Sequence, residues 1–423
     1  MSFLHTKENV AFIFRSLRSR NYRFYFFGLG ISFIGSWMHR IAIAWLAYRL
    51  TNSSLILGVV GFATMVPSFI VAPFAGALAD SCNRHKMIMA VQLAAVALTS
   101  IMAYLIYSGM ITITHILLIG SVLGVVFGVD IPLRHSFVIE IVHDRDDLPN
   151  AIALNSFLFN AARLIGPAIA GWLIKTSGEG ICIVFNGVSY LIFFFALLNI
   201  KVDSKHSAAQ RDSLLSYIRE GFVYAYHNMP IRAILLLLSL VSLIAMPYFV
   251  LLPIFARDIL KSGPETMGYL TAASGIGALC GVSFLASRKN TSGLELSVGS
   301  SAVLLSAGLM IFAFSRILSV SLVAMFIVGF GLMVHMSACN TVLQTVVDDD
   351  KRGRIMSLYT MTFMGMAPFG NLLAGWMASI IGAPLTVFLL GCVCLAGVFV
   401  YLKKLPEIRK YIVPVYAERG IEV

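Results

Sequence analysis

The sequence predicts an all-α membrane protein of twelve transmembrane helices in two pseudo-symmetric six-helix bundles. Three observations predict it. Of 423 residues, 59% are hydrophobic and only 12% are charged, half of the roughly 25% that dresses a water-facing surface. Apolar stretches of about 20 residues, the length that crosses a ~30 Å hydrocarbon layer, recur along the whole chain. An internal repeat then relates one half to the other.

Taken in order, the apolar stretches place helices at 24–50, 54–79, 87–108, 111–130, 149–174, 181–200, 231–257, 264–287, 293–315, 318–340, 355–380 and 384–403. The longest link, 201–230, is polar, so the expected organisation is a bundle over 1–200, a linker over 201–230, a bundle over 231–405 and a tail over 406–423. Lys7, Arg15, Arg18 and Arg20 precede no short apolar run with a small-residue cleavage site, so no removable signal peptide is expected. With the N-terminus in the cytosol, 24 Lys and Arg fall on the cytosolic side. Only Arg49, Lys175, Arg257, Lys261 and Arg316 fall on the other. Such a bias sets orientation, and it predicts a bacterial inner-membrane protein with both termini cytosolic. It also explains the net charge of +11 as an orientation device rather than a nucleic-acid patch. The six cysteines form no CxxC pair and no metal-spaced cluster, so they read as small buried thiols.

The repeat has an offset of 204. The acidic stretch from Asp144 to Leu154 resembles that from Asp348 to Leu358, each entering an apolar helix. At the same offset Gly166 aligns with Gly370, and Ala170, Gly171 and Trp172 align with Ala374, Gly375 and Trp376. The fifth and eleventh helices therefore take equivalent places in two parallel halves, the architecture of a rocker-type carrier.

Gly76, Leu78, Ala79, Asp80 and Arg84, with His85 and Lys86 keeping basic character, resemble the cytosolic loop signature of the major facilitator superfamily. Ser81 and Asn83 depart from it, and Asn83 is expected to keep the turn by adopting a left-handed backbone. A narrower resemblance runs through Gly35 to Arg40, Asp130 to Phe137, Asn150 to Ser156, Arg163 to Pro167 and Arg352 to Arg354. It is to the branch that holds the enterobactin exporter, macrolide efflux proteins and transmembrane secretion effectors. The resemblance implies the major facilitator fold, with Asp80 and Arg84 closing the cytosolic side and Gly76, Lys86 and Arg134 beside them. It also implies that Arg84 pairs an acid at the end of the fourth helix, a position that Asp130 matches. Ala162, Gly166, Pro167, Ala170 and Gly171 resemble the superfamily's antiporter motif with alanine at two glycine places, which implies export.

Charge inside a membrane is costly and marks function by default. Arg40 and Arg163 fall at similar depth in the first and fifth helices, with no acid in their own helices to pair. They either receive an anionic group or lock the bundle through backbone carbonyls. Every acid is placed at a helix end or in a loop, which leaves His39 and His335 as the mid-span groups that titrate near neutrality. For each, a neutral hydrogen-bonded imidazole is the plainer reading. Asn155 shares a face with Arg163, and Asn371 lies beside Pro368 in the eleventh helix. Pro247 and Pro253 bracket Tyr248 and Phe249 as a bending element.

The expected function is secondary active export of a small organic molecule by alternating access, with proton coupling implied by the family resemblance. An anionic metabolite such as a siderophore fits two arginines. A multidrug or macrolide-type pump fits 30 Phe and 19 Met, and an importer is a further alternative. Catalytic constellations such as HExxH or GxSxG are absent from the spans, so no enzyme activity, cofactor or metal is expected. The expected partners are a small-molecule substrate, a coupling proton and the lipid bilayer, with room for a periplasmic or outer-membrane export partner.

Overall fold

The computed structural model describes residues 14–142, 144–201, 214–288 and 293–419, and no strand occurs among them. In the first half run α1 (Arg20–Thr51), α2 (Ser54–Ser81), α3 (Arg84–Tyr107), α4 (Ile113–Ile141), α5 (Leu148–Ser177) and α6 (Gly180–Leu198). The second half begins with α7 (Leu214–His227), α8 (Met229–Leu240) and α9 (Tyr248–Ile254). It continues with α10 (Pro264–Ala286), α11 (Leu294–Phe314), α12 (Leu318–Val346), α13 (Arg352–Ile381) and α14 (Ala383–Glu418). Among the described residues, twelve spans are long and apolar enough to cross a membrane, with Met229–Ile259 counting as one. A bilayer core holds no water to satisfy backbone groups, so helices that bond internally are the form open to such a sequence. Two compact units result. One comprises 1–50 with 63–209, and the other comprises 51–62 with 210–423.

The repeat is visible in the packing. A Cβ on Gly166 of α5 would stand 2.7 Å from the Cβ of Trp37 and 3.0 Å from the carbonyl oxygen of Ile34, both on α1. A Cβ on Gly370 of α13 would stand 2.2 Å from the carbonyl oxygen of Leu243 and 2.6 Å from Cγ of Pro247, in the seventh span. Each half thus presses its fifth helix onto its first through the same glycine, the close approach that small residues allow in lipid. Ala170 and Ala374 are both fully buried, whereas Trp172 and Trp376 both face outward.

The seventh span breaks its own regularity. A π turn over Val241–Ala245 precedes Pro247, and another over Phe255–Ile259 follows Pro253. Proline gives up one ladder bond, and i→i−5 bonds from Met246 to Val241 and from Leu260 to Phe255 take up the slack.

Three expectations need correction. The fourth helix does not end at Asp130 but runs on past Pro132 to Ile141. Asp130 and Arg134 looked like end signals, yet they neutralise each other one turn apart and so can stay inside. Consequently an acid does lie within a span. Asn83 is not left-handed: at φ −67° and ψ 103° it caps α3, its Oδ1 accepting from the Lys86 amide at 3.0 Å. Finally, the twelfth helix does not stop at 403, and most of the supposed tail continues it to Glu418. Leu405, Ile408, Ile412 and Tyr416 recur at helical spacing on its buried face, and Arg409 Nε meets Glu295 Oε1 of α11 at 2.9 Å.

Within the polar link, 202–213 lie outside the described residues, and α7 follows. Glu220 of α7 pairs Arg354 of α13 at 2.9 Å, and Tyr224 donates its hydroxyl to Asp348 at 2.9 Å. Burial first, and that bond second, hold the Tyr224 phenol above its ordinary value.

Gly166→Leu and Gly370→Leu should each lower stability by about 1–3 kcal/mol, the usual cost of overpacking, because backbone oxygens stand where the side chain would go. Thermal unfolding of the purified variants checks this. Two wild-type melting curves would show that the glycine contacts are not the seams between these helices.

Candidate functional site

α1 and α5 bring the two arginines together. The Arg40 guanidinium lies over the Trp37 ring at 5.2 Å from its centroid, and that of Arg163 lies over the same ring at 6.0 Å. At 1.5 Å per residue, Arg40 stands about 30 Å from the start of α1 and Arg163 about 22 Å from the start of α5. An aromatic face attracts a cation through its quadrupole, so one indole holds two like charges near one another. Arg40 is exposed and Arg163 half-buried. Arg40 makes no ion pair among the described residues. His39, next to it, has a buried Nδ1 with no hydrogen-bond partner.

A second charged group lies deeper in the same unit. Asp130 and Arg134 on α4 pair at 2.6 Å and are only 4% and 9% exposed. Gln92 of α3 donates its Nε2 to the other Asp130 oxygen at 3.0 Å. The Arg134 guanidinium is stacked on Phe193 at 4.8 Å and on Phe33 at 5.6 Å. Around the pair, Tyr25, Leu29, Leu133, Phe137 and Phe193 form one apolar core. The carboxylate is met by a guanidinium and an amide and the guanidinium by a carboxylate and two rings, while Arg134 Nε and Gln92 Oε1 are buried without a hydrogen-bond partner.

Rings connect the two groups. Phe33, under Arg134, meets Phe159 edge-on at 5.5 Å, and Phe159 meets Trp37 at 6.1 Å. An unbroken line of contacts therefore runs from the buried ion pair through Phe33, Phe159 and Trp37 to Arg40 and Arg163. Sequence reasoning did not single out Trp37 and Phe33. Their signal was the i, i+4 spacing of Phe33 and Trp37 on one face of α1.

The other expected residues are placed as follows. Asn155 accepts at Oδ1 from the Tyr22 hydroxyl at 3.1 Å, two turns before Arg163 on α5. His335 is fully buried in the second unit: its Nδ1 donates to the Val298 carbonyl at 2.9 Å, and its Nε2 faces the Cys339 thiol at 3.7 Å. Both nitrogens are occupied, so the expectation of His335 as a cavity residue is corrected to a packing role between α11 and α12. Asn371 is 8% exposed and packs beneath Gly58 and Gly61 of α2. Gly166, Pro167 and Gly171 are buried along α5, which passes Pro167 without a break. Gly76 and Asp80 fall in the last turns of α2, and their side-chain surroundings lie outside the described residues. Lys86 is exposed on α3.

Arg84 does pair an acid near the end of α4, but that acid is Glu140, at 2.5 Å, and not Asp130. The reason is the added length of α4, which moves its end from 130 to Ile141.

Removing one member of a buried pair leaves a bare charge and costs about 3–5 kcal/mol, whereas replacing both with apolar groups is often neutral. Arg134→Met should therefore sharply lower the yield and melting temperature of purified protein, and Asp130→Leu with Arg134→Met should recover much of the loss. Equal instability of the single and double variants would contradict a paired role.

Residues 13–415 match the family described as transmembrane secretion effector. Over 387 residues the chain is 24% identical to the staphyloferrin A transporter of Staphylococcus aureus, covering 90% of this chain and 96% of that one. It is 25% identical to the multidrug efflux pump Tap of Mycolicibacterium fortuitum over 386 residues, covering 87% and 92%. Among solved structures, a bacterial homologue of the human lysosomal transporter Spinster, inward-facing and occupied, superposes with a TM-score of 0.74. That match is at 11% identity and covers 94% of this chain and 99% of that one, a likeness of fold.

Proposed function

The chain belongs to the transmembrane secretion effector family of the major facilitator superfamily, and from its site we propose that it exports an anionic small molecule, of the polycarboxylate siderophore kind, in exchange for protons. The observation that carries the reading is the convergence of Arg40 and Arg163 on Trp37 at mid-span. Two cations held side by side in an apolar layer gain most from a ligand that brings negative charge with it. Guanidinium forks also match carboxylates in two-point contact. The staphyloferrin A transporter among the relatives supports the ligand class. The antiporter-like stretch around Gly166 supports the direction, with the chain in the inner membrane and both termini in the cytosol.

In this reading Asp130 is the proton acceptor. Its protonation would free Arg134 from its partner and alter the stack on Phe33, and the ring contacts carry that change toward Trp37. The Arg84–Glu140 pair, with Asp80 nearby in sequence, would form in one state of the transport cycle and part in the other, biasing the two-state equilibrium.

A second reading is efflux of neutral or cationic drugs. The exposed Phe157 and Phe159 favour it, as does the likeness to a multidrug pump.

Arg163→Lys should weaken transport of a polycarboxylate siderophore despite preserved charge, by about tenfold or more, and Arg40→Ala and Arg163→Ala should do so further. The assay is uptake into inverted membrane vesicles, with binding to the purified proteins measured alongside. Wild-type affinity for anionic compounds in both alanine variants, with drug transport intact, would turn the assignment to drug efflux. Accumulation in right-side-out vesicles instead would mean import.

Arg84→Ala should keep substrate affinity within about threefold and slow turnover by about tenfold, and the fraction of Asp130→Asn protein that folds despite the unpaired Arg134 should do the same. For Asp130→Asn, export should also lose its response to an imposed pH gradient. Wild-type turnover and an undiminished pH response in Asp130→Asn protein would remove Asp130 from the coupling step.

A further inference from the structure

Away from the charged groups described above, an apolar slot of about 460 Å³ opens on the outer surface of the first unit, between α1 and α6. Gly28 and Ala196 form its floor: a Cβ on Gly28 would come within 2.8 Å of the Ala196 Cβ, so the two helices touch there and leave a furrow above. Phe24 and Phe27 make one wall and Ile192 the other, all three exposed at 36%, 62% and 40%. Apolar surface of this shape is complementary to an acyl chain.

At the mouth of the slot stand Arg20 and Arg23, both exposed. The Arg20 guanidinium lies over the Phe24 ring at 5.8 Å. Asn21 donates to the Lys201 carbonyl at 2.9 Å, which ties the segment after α6 to the start of α1. Among the described residues neither of these two cations is within ion-pair distance of a carboxylate. A cation that only marks the end of a span needs water and no furrow beneath it. Here two cations sit at one end of an apolar channel. A molecule with an anionic head and a hydrocarbon chain has this division of chemistry, and basic pockets between spanning helices hold such headgroups.

We propose that this furrow is a binding site for an anionic phospholipid of the bilayer, the phosphate held by Arg20 and Arg23 and one acyl chain lying against Gly28 and Ala196. The site is independent of the transported molecule and of the direction of transport. Its occupant pins the start of α1, the helix that carries Trp37 and Arg40, to the end of α6.

The test uses the full chain, purified and stripped of lipid, and counts bound lipid by native mass spectrometry. Dioleoyl phosphatidylglycerol should be retained at least about fivefold more strongly than dioleoyl phosphatidylcholine, and millimolar inorganic phosphate should not displace it. Arg20→Gln with Arg23→Gln should abolish the preference between the two headgroups. Ile192→Trp, which fills the furrow and leaves the cations, should lower retention of phosphatidylglycerol by a similar factor. All three positions are exposed, so the fold should survive, and the melting curve checks that it does. Equal retention of both lipids by the unaltered chain, or undiminished phosphatidylglycerol retention in either variant, overturns the site. Displacement by phosphate alone would make it a free-anion site and overturns it as well.

Discussion

A hydrocarbon layer offers no partner to a charge, so every ion carried into it has to be met by another part of the chain. The Asp130–Arg134 pair shows what that constraint organises. One turn of α4 supplies both signs, α3 supplies the amide of Gln92, and α1 and α6 supply aromatic faces. Four of the six helices of the first half are thus oriented by a single buried pair. Its presence also lets α4 continue through Pro132, and that added length delivers Glu140 to Arg84. Helix length, bundle packing and the ion pair at the helix end follow from the same neutralisation.

The two halves share a scaffold but not a chemistry. Gly166 and Gly370 press equivalent helices onto equivalent neighbours, and the buried alanines and outward tryptophans that follow them match. At the same offset of 204, however, Arg163 corresponds to Ala367, which is buried and apolar. Asp130 and Arg134 correspond at that offset to Val334 and Ala338, so among the described residues the arginine pair and the α4 ion pair belong to the first unit. The second half has instead a seventh span loosened by two π turns around Pro247 and Pro253. The repeat accounts for the shared packing, and the charged groups are where the halves differ.

Spans, repeat and fold were legible in the sequence because they rest on local signals: runs of apolar residues, the placement of glycine, and an offset that can be counted. Arg40 and Arg163 were also legible, since an arginine inside an apolar run stands out. What joins them was not, because Trp37 is one aromatic residue among many and only the crossing of α1 and α5 makes it a shared platform. The extent of α4 was missed for a related reason. Proline and paired charges resemble a terminus when read along the chain, and they cease to do so only when Gln92 and Phe193 close over them. For His335 the plainer reading, a hydrogen-bonded imidazole, is the one the fold displays, but its partner carbonyl, on Val298, belongs to another helix 37 residues away and could not be named.

The last helix carries a consequence for the order in which the protein is made. Glu295 is buried at the start of α11, and the guanidinium that meets it, on Arg409, lies 114 residues later in the chain. At roughly 5–20 residues per second of synthesis, that carboxylate waits on the order of ten seconds for its counter-ion. The apolar face of Ile408, Ile412 and Tyr416 arrives together with it. The second half is therefore closed by a segment made long after the helix it clasps, and α11 keeps an unmet carboxylate until α14 has been synthesised through Arg409.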